Sequence, residues 1–486
     1  MIAIRPLPPP ACPDAKRTLP VFMLIGIILT CLFSACGPGE PRNQRYNLVL
    51  ITIDALRADH MGLYGYQRNT TPNMDRFARE HLWLENFFTV VPKTAPAMAS
   101  FFTGKLMTSH GTIANWKKLG SQRILTDLLP AGYRKLAFVN NAVLHIHSGF
   151  HRGFDRYVTS SDAPPETFTD QIIQAVETLD QEKGEPFFLW VHYLDPHGPY
   201  TPAEKYRTLF VGDAYYDAAA KVPVAPPVDR EKQANPLGHV PPYQVLEGHD
   251  ALAYYIAQYD AEIYAVDEQV DRLLRLFDSS GMLKDTIVVI TADHGESLGE
   301  NDYYFEHGLF LDDGSIRIPC IIAHPRAKRT GAVPCLADNT DILPTVMEWL
   351  NLPIPADVQG RSFHGLLTGS ADRHKPYIIS QTPLEYPEYR EAIRARDYKF
   401  QKTGPLHRIG FDHFMRVGSP EYAFFPIAHG KEDLRNRYAT MDEATKEKCL
   451  EVMDKIPHNT KYTDPVAKGD LSQDTLDQLK TLGYLD

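Results

Sequence analysis

Basic residues are in short supply in this chain: 50 Lys and Arg stand against 61 Asp and Glu, a formal net charge of -11 at pH 7 over 486 residues. A phosphate backbone is bound by a concentrated basic face, so this balance excludes nucleic acid as an expected partner. Long hydrophobic runs are equally scarce. The one at the N-terminus, Val21 to Ala35, is short for a membrane span and right for a signal-peptide core, with Arg5, Lys16 and Arg17 ahead of it. Cysteine is thin too. Beyond that leader only Cys320, Cys335 and Cys449 remain, an odd set that permits at most one internal disulfide, with Cys320 and Cys335 the nearest pair. No internal repeat is visible. What the chain does have is 43% hydrophobic residues, enough for a large core and incompatible with a disordered chain.

The leader runs into Leu32-Phe33-Ser34-Ala35-Cys36-Gly37, a junction that resembles a bacterial lipoprotein cleavage site. It predicts residues 1–36 as a signal peptide, Cys36 as the acylated first residue, and a protein lipid-anchored in the bacterial cell envelope, at the periplasmic side of the outer membrane. Ordinary secretion and an uncleaved anchor are the alternatives. Residues 37–45 read as a polar linker.

From Asn47 to Ile53 a continuous apolar, β-branched run ends at Asp54, the pattern of a buried parallel strand with chemistry at its C-terminal end. The same grammar recurs where Phe187 to Val191 runs into His192, Asp195 and His197, and where Thr286 to Ile290 runs into Asp293 and His294. Between them, Ala253 to Phe277 repeats apolar residues at helical spacing: Ile256, Tyr259, Ile263, Val266, Val270, Leu273 and Leu274. Strands alternating with helices predict an α/β domain over residues 46–374, a large mostly parallel sheet with helices on both faces and polar strand ends converging on one edge. The proline-rich stretch 210–250 has no periodicity and predicts a lid or insertion loop over the site. Short segments from Lys375 onward predict a smaller C-terminal subdomain, residues 375–486, with a short sheet and a late helix.

Asp54, Asp293 and His294 follow strands expected to be parallel neighbours, with His192, His197 and His307 in adjoining loops. Carboxylate and imidazole clustered at strand ends is how a protein holds a divalent cation with positions open to substrate. A single Asp-His pair is more often a cap or a turn; three such strand ends together point to a metal centre. Thr94, followed by Pro96 and a small-residue helix ending in Thr103-Gly104, falls at a helix N-terminus, where backbone N–H groups and the helix dipole favour an anion. A plain N-cap is the structural alternative.

Several motifs then occur in order: Asp54 to Gly65, Thr71-Pro72-Asn73-Met74-Asp75, Thr94 to Gly104, Asp195 to Tyr200 and Thr291 to Glu296. His307-Gly308, Arg317-Ile318-Pro319, Asp341 to Thr345, Gly360-Arg361-Ser362 and the terminal Leu482-Gly483-Tyr484 agree with them. Together they resemble the sulfatase family of the alkaline phosphatase superfamily. The resemblance implies a sulfatase-like α/β domain with a smaller C-terminal sheet. It also implies that Asp54, Asp293 and His294 are metal ligands, with Thr94 at the nucleophile and close to the ion. Lys105, His192, His197 and His307 match the residues around the anionic group and the leaving oxygen.

The chain also departs from that family. Its Thr94-Ala95-Pro96-Ala97-Met98 lacks both the Cys or Ser that becomes formylglycine and the Arg of the signal, so no formylglycine is expected. A phosphorylated Thr is a more tractable intermediate than a sulfated one, because water can attack at phosphorus in the second step. Ala55 replaces a second Asp and His294 an Asn, which favours one divalent ion, Zn²⁺ or Mn²⁺ rather than Ca²⁺ or Mg²⁺. Val139-Asn140-Asn141 stands where many sulfatases place an anion-binding Lys. The expected function is hydrolysis of an anionic ester (phosphodiester, phosphonate or sulfate), borne on an envelope glycan or lipid, through a Thr94 covalent intermediate. An envelope phosphotransferase and a non-catalytic glycan-binding lipoprotein are the competing readings. The first generally carries several membrane spans, which this sequence lacks.

Overall fold

The computed structural model describes residues 46–481, apart from 161–162, 182–183, 218, 225–236, 387, 409–413, 417–418, 429 and 459–461. The expected signal peptide, Cys36, the linker and Leu482-Gly483-Tyr484 lie outside the described residues. Within them, β1 (Asn47–Ile53), β2 (Leu82–Phe88), β3 (Arg134–Asn140), β4 (Arg156–Ser160), β5 (Phe187–Tyr193), β6 (Thr286–Ala292), β7 (Cys320–Ala323) and β8 (Gly331–Asp338) form one sheet in the order β8-β2-β7-β6-β1-β5-β3-β4. β7 runs antiparallel to β2 and β6, as the short strand Arg317–Ile318 does to β2, and the remaining pairs are parallel.

An uninterrupted apolar strand needs cover on both faces, which the middle of a parallel sheet supplies. β1 takes that place, buried from Leu48 onward between β5 and β6, and its register pairs Thr52 with His192 and Ile53 with Ala292. The three polar strand ends read from the sequence therefore stand side by side. Helices α1 (Pro72–Glu80), α2 (Thr94–Thr103), α3 (Pro165–Gln181), α4 (Leu252–Ser279) and α5 (Ile342–Trp349) accompany the sheet. All seven apolar positions expected on α4 are buried.

α2 is the helix that begins at Thr94. All ten of its residues are buried, so it is held by packing rather than by an amphipathic face. Gly104 ends it in the left-handed region at φ 65, and a Cβ there would come within 2.9 Å of Val358 Cγ1. The C-terminal antiparallel sheet, β9 (Tyr377–Gln381), β10 (Glu388–Ala395), β11 (Tyr398–Arg408) and β12 (Glu421–Ala428), is followed by α6 (Glu443–Asp454) and α7 (Gln473–Thr481). Ala97 of α2 and the adjoining Val90, Val91 and Met107 share one apolar cluster with Leu384, Ile393, Phe400 and Met453, so this sheet backs the helix that carries Thr94.

The nearest candidate pair, Cys320 and Cys335, forms no disulfide; these two and Cys449 are buried free thiols. β2 lies between β7 and β8, a separation of roughly 10 Å between strand axes, beyond the reach of a disulfide. In the stretch 210–250, the described part includes a turn at Pro242–Gln244 whose buried Gln244 donates to Phe305 O at 2.9 Å, beside the loop that carries His307. No described helix is long and apolar enough to cross a membrane.

His110 locks the far side of α2. Thr112 N–H donates to its Nδ1 at 3.1 Å, so Nε2 carries the proton and donates to Ser100 Oγ at 3.0 Å. Burial, helped by the Lys105 charge, pushes His110 down to about 3. A folded value below the unfolded one of about 6.5 means the contribution is complete above pH 6.5 and lost as pH falls toward 3. The stability gap between the native protein and His110→Gln is therefore expected to narrow by about 2 kcal/mol between pH 7 and pH 5, read from urea unfolding at each pH. A gap that does not change with pH would mean that His110 titrates in the fold as it does in the unfolded chain.

Candidate functional site

Asp54 follows β1 directly, and its N–H extends the parallel pairing by donating to Tyr193 O at 3.0 Å. The next residue, Ala55, sits at φ 57, an uncommon conformation for a side-chain-bearing residue. Two contacts hold it there: Tyr259 Oη donates to Ala55 O at 2.7 Å, and Ala55 N–H donates to Asp293 Oδ1 at 3.3 Å. This bend brings the ends of β1 and β6 together.

Asp54, Asp293 and His294 are all fully buried, with ligand-type atoms within 4.8 Å of one another. His294 Nδ1 faces Gly295 O at 2.8 Å and so carries the proton, leaving the Nε2 lone pair turned inward. That Nε2 lies 3.5 Å from Asp54 Oδ1, 3.5 Å from Asp293 Oδ2 and 3.3 Å from Thr94 Oγ1. Asp54 Oδ1 and Asp293 Oδ2 have no hydrogen-bond partner despite full burial. Two orphaned carboxylate oxygens and an imidazole lone pair around one point are the donor set of a divalent cation, and the residues fit such an ion. The other carboxylate oxygens are oriented from behind, Asp54 Oδ2 by Asn141 Nδ2 at 2.5 Å and Asp293 Oδ1 by His294 N–H at 2.8 Å.

Burial pushes Asp54 up to about 6 against the opposing charges of His197 and Lys93 and the Asn141 hydrogen bond. Burial and then the Asp54 charge push Asp293 well above the carboxylate range. Two carboxylates that cost this much to ionise together gain most from a cation. Adding Zn²⁺ or Mn²⁺ to chelator-treated protein is expected to raise its stability by about 3 kcal/mol at a hundredfold excess over Kd, and Asp293→Ala to remove the gain. A melting curve indifferent to metal would count against the centre.

The histidines read from the sequence converge here. Thr52 Oγ1 donates to Val191 O at 3.2 Å, so it accepts from Trp190 Nε1 at 3.0 Å and from His192 Nδ1 at 2.8 Å. This fixes His192 with Nε2 facing Asp54 Oδ2 at 3.3 Å, and burial pushes its pKa to about 4. The His197 and His307 rings lie 5.1 Å apart, and the His307 ring lies tilted 4.1 Å from that of His294. His307 Nδ1 lies 3.2 Å from Glu296 Oε1, while its buried Nε2 has no partner. Burial first, then neighbouring positive charge, holds His294 and His307 well below the usual imidazole range, so both are neutral bases at pH 7.

Lys105 does not join them. It lies past the C-terminal end of α2, where Nζ pairs with Asp357 Oδ2 at 2.5 Å, at the opposite end of the helix from Thr94. Lys93, the extended N-cap residue of α2, supplies the cation instead. It is buried, pairs with Glu385 Oε1 at 3.3 Å, and its charge acts on Asp54, His197, His294 and His307. Sequence reasoning also missed Asn115, whose Oδ1 accepts the Ala95 N–H at 3.0 Å beside Thr94 while its buried Nδ2 has no partner. Asn141, read as a substitute for an anion-binding Lys, serves Asp54.

Sheet and strand-end centre together define a class of protein, the hydrolases that work on charged esters at the C-terminal edge of an α/β sheet. Within that class the chain belongs to the Sulfatase family, whose model matches residues 46–352. It is 24% identical to an N-acetylglucosamine-6-O-sulfatase of Bacteroides thetaiotaomicron, over 93% of each chain. It is 24% identical to the multifunctional alkaline phosphatase superfamily protein PehA of Trinickia caryophylli, over 65% of this chain and 76% of that protein. A phosphonate monoester hydrolase from Silicibacter pomeroyi shares the fold with a TM-score of 0.67 at 19% identity, covering 86% of this chain and 96% of the other.

Proposed function

We propose that this protein hydrolyses a phosphodiester or phosphonate monoester through a covalent intermediate on Thr94, with one divalent cation held by Asp54, Asp293 and His294 and touched by Thr94. The reading rests on one observation: Thr94 Oγ1 lies 3.3 Å from His294 Nε2, at the point toward which the orphaned oxygens of Asp54 and Asp293 turn. Zn²⁺ or Mn²⁺ is the ion this mixed set favours. When bound, it supplies Lewis-acid charge that favours the Thr94 alkoxide and offsets the ester's negative charge.

The chain's own residues do the rest. The neutral imidazole of His197 or His307 takes the Thr94 hydroxyl proton as Oγ attacks phosphorus, the bond to the leaving alcohol breaks, and the imidazolium passes that proton to the departing alkoxide. Water then attacks the phosphorylated Thr94, the same imidazole accepts its proton, and the threonine hydroxyl is restored. Lys93 and the Asn115 Nδ2–H₂ stabilise the non-bridging oxygens at the N-terminus of α2. The likeness to a phosphonate monoester hydrolase supports phosphorus as the reacting centre. A sulfate ester is the second reading, supported by the N-acetylglucosamine-6-O-sulfatase relative. Lipid anchoring through Cys36 in the bacterial cell envelope belongs to the same proposal, and palmitate labelling that Cys36→Ala leaves unchanged would refute it.

The test is brief reaction of the metal-loaded protein with paired aryl phosphodiester, phosphonate and sulfate esters, followed by mass spectrometry of the Thr94 peptide. A phosphoryl or phosphonyl adduct on Thr94 is the expected result. Turnover with no adduct at Thr94, or an adduct formed only from the sulfate ester, would overturn it.

A further inference from the structure

A cavity of about 350 Å³ opens beside the reacting centre, and His197 and Gly198 line it. Its apolar wall includes Pro164, Pro165, Pro199 and Pro202, while Asp195, Glu262 and Glu166 bring carboxylates to it. No Lys or Arg lines it among the described residues. Glu166 is answered from outside, by Lys205 Nζ at 3.1 Å. Glu262 is not: it is 2% exposed, its Oε1 accepts the Thr201 N–H at 2.6 Å and its Oε2 has no partner. Asp195 is half-buried, and burial, with the Glu166 charge adding to it, pushes its carboxyl up to about 6.

A buried carboxylate oxygen with no partner, next to a second carboxylate, is costly to keep charged. Burial, and then the Asp195 charge, hold Glu262 well above the carboxylate range. The reacting centre, by contrast, presents Lys93 and a prospective divalent cation to an anion. Two compartments of opposite preference joined at His197 call for a substrate with a charge of each sign.

We propose that this cavity receives a protonated primary amine on the alcohol portion of the ester, so that the substrate is an ester of an amino alcohol. The inference rests on the ester-hydrolase reading above and names its substrate class. A primary ammonium has N–H donors to offer Glu262 Oε2 and Asp195, and its carbon chain suits the proline wall. A quaternary ammonium has no N–H and is received by aromatic faces, of which this cavity offers Tyr206 alone among its described lining. The same chemistry comes from an aminoalkyl headgroup or from an amino sugar. A proton shared between Asp195 and Glu262 is the competing account of the pair.

The full chain, loaded with metal, is given 2-aminoethanol, glucosamine, 1,2-ethanediol and glucose in separate calorimetric titrations. Turnover of 4-nitrophenyl 2-aminoethyl phosphate is compared with that of 4-nitrophenyl propyl phosphate. At least one amine is expected to bind about tenfold more tightly than its neutral counterpart, and the aminoethyl ester to show a similar advantage in kcat/KM. A preference for 2-aminoethanol identifies the headgroup source, and one for glucosamine the amino sugar. The advantage should fall toward one in Glu262→Gln, with Asp195→Asn as the second variant should the first fail to fold. Equal binding of amines and neutral alcohols, or an advantage that both variants retain, overturns the proposal in favour of the shared proton. Amine binding that persists with no turnover of any ester supports the cavity assignment and breaks the hydrolase reading instead.

Discussion

Thr94→Ala is expected to lower kcat/KM on aryl phosphodiesters and phosphonate esters by on the order of 10⁴-fold, and to abolish any covalent adduct. The size follows from position. Thr94 is fully buried as the first residue of α2, and its hydroxyl faces His294 Nε2. Ser100 Oγ, on the same helix, is taken up by His110 and is not free to replace it. The substitution removes one methyl-sized branch and a hydroxyl from a packed helix, so folding should survive with a cost of about 1 kcal/mol. Thr94→Ser keeps the nucleophilic oxygen and is expected to restore the adduct with partial activity. Circular dichroism and single-turnover rates on the three proteins separate these outcomes. Activity within tenfold of the native protein in Thr94→Ala would show that water attacks the ester directly, and Thr94 would then be a positioning group.

The convergence of polar strand ends was legible in the sequence for a topological reason. Asp54, His192 and Asp293 each end an apolar run, and β5, β1 and β6 are adjacent, parallel and in register, so residues that end strands in the sequence meet in space. Helix α4 was legible because its 3.6-residue repeat is long. The Cys320–Cys335 pairing failed where sequence distance misleads: β2, far earlier in the chain, lies between the two strands. Asn115 was illegible as a site residue because it acts through one side-chain amide from a loop, where neither periodicity nor spacing marks it, and Asn141 was legible as a site position but not as the partner of Asp54. The bend at Ala55 was equally hidden, since alanine carries no signal for a positive φ.

Lysine assignment is the instructive error, and it makes the second large prediction. Lys93 and Lys105 flank the same helix, and their order along the chain does not say which end faces the metal. The fold decides. Ten residues at 1.5 Å per residue put about 15 Å between the two ends of α2, more than a Lys side chain spans. Lys105, paired with the exposed Asp357, is a surface lysine whose ion pair contributes about 0–1 kcal/mol. Lys93 is buried with its ammonium paired to Glu385 and its charge felt by Asp54 and three histidines of the site. Lys93→Ala is therefore expected to lower kcat by about 10²–10³-fold, the usual cost of removing one preorganised charge from a reacting centre, while Lys105→Ala stays within about twofold. The loss should fall on kcat more than on KM, because the charge that Lys93 answers grows as the ester reaches its transition state. Lys93→Arg keeps the charge in a longer, planar group and is expected to recover part of the rate. A reversed ranking of the two lysines would return the anion site to the far end of α2 and dismantle the placement of Thr94 with it.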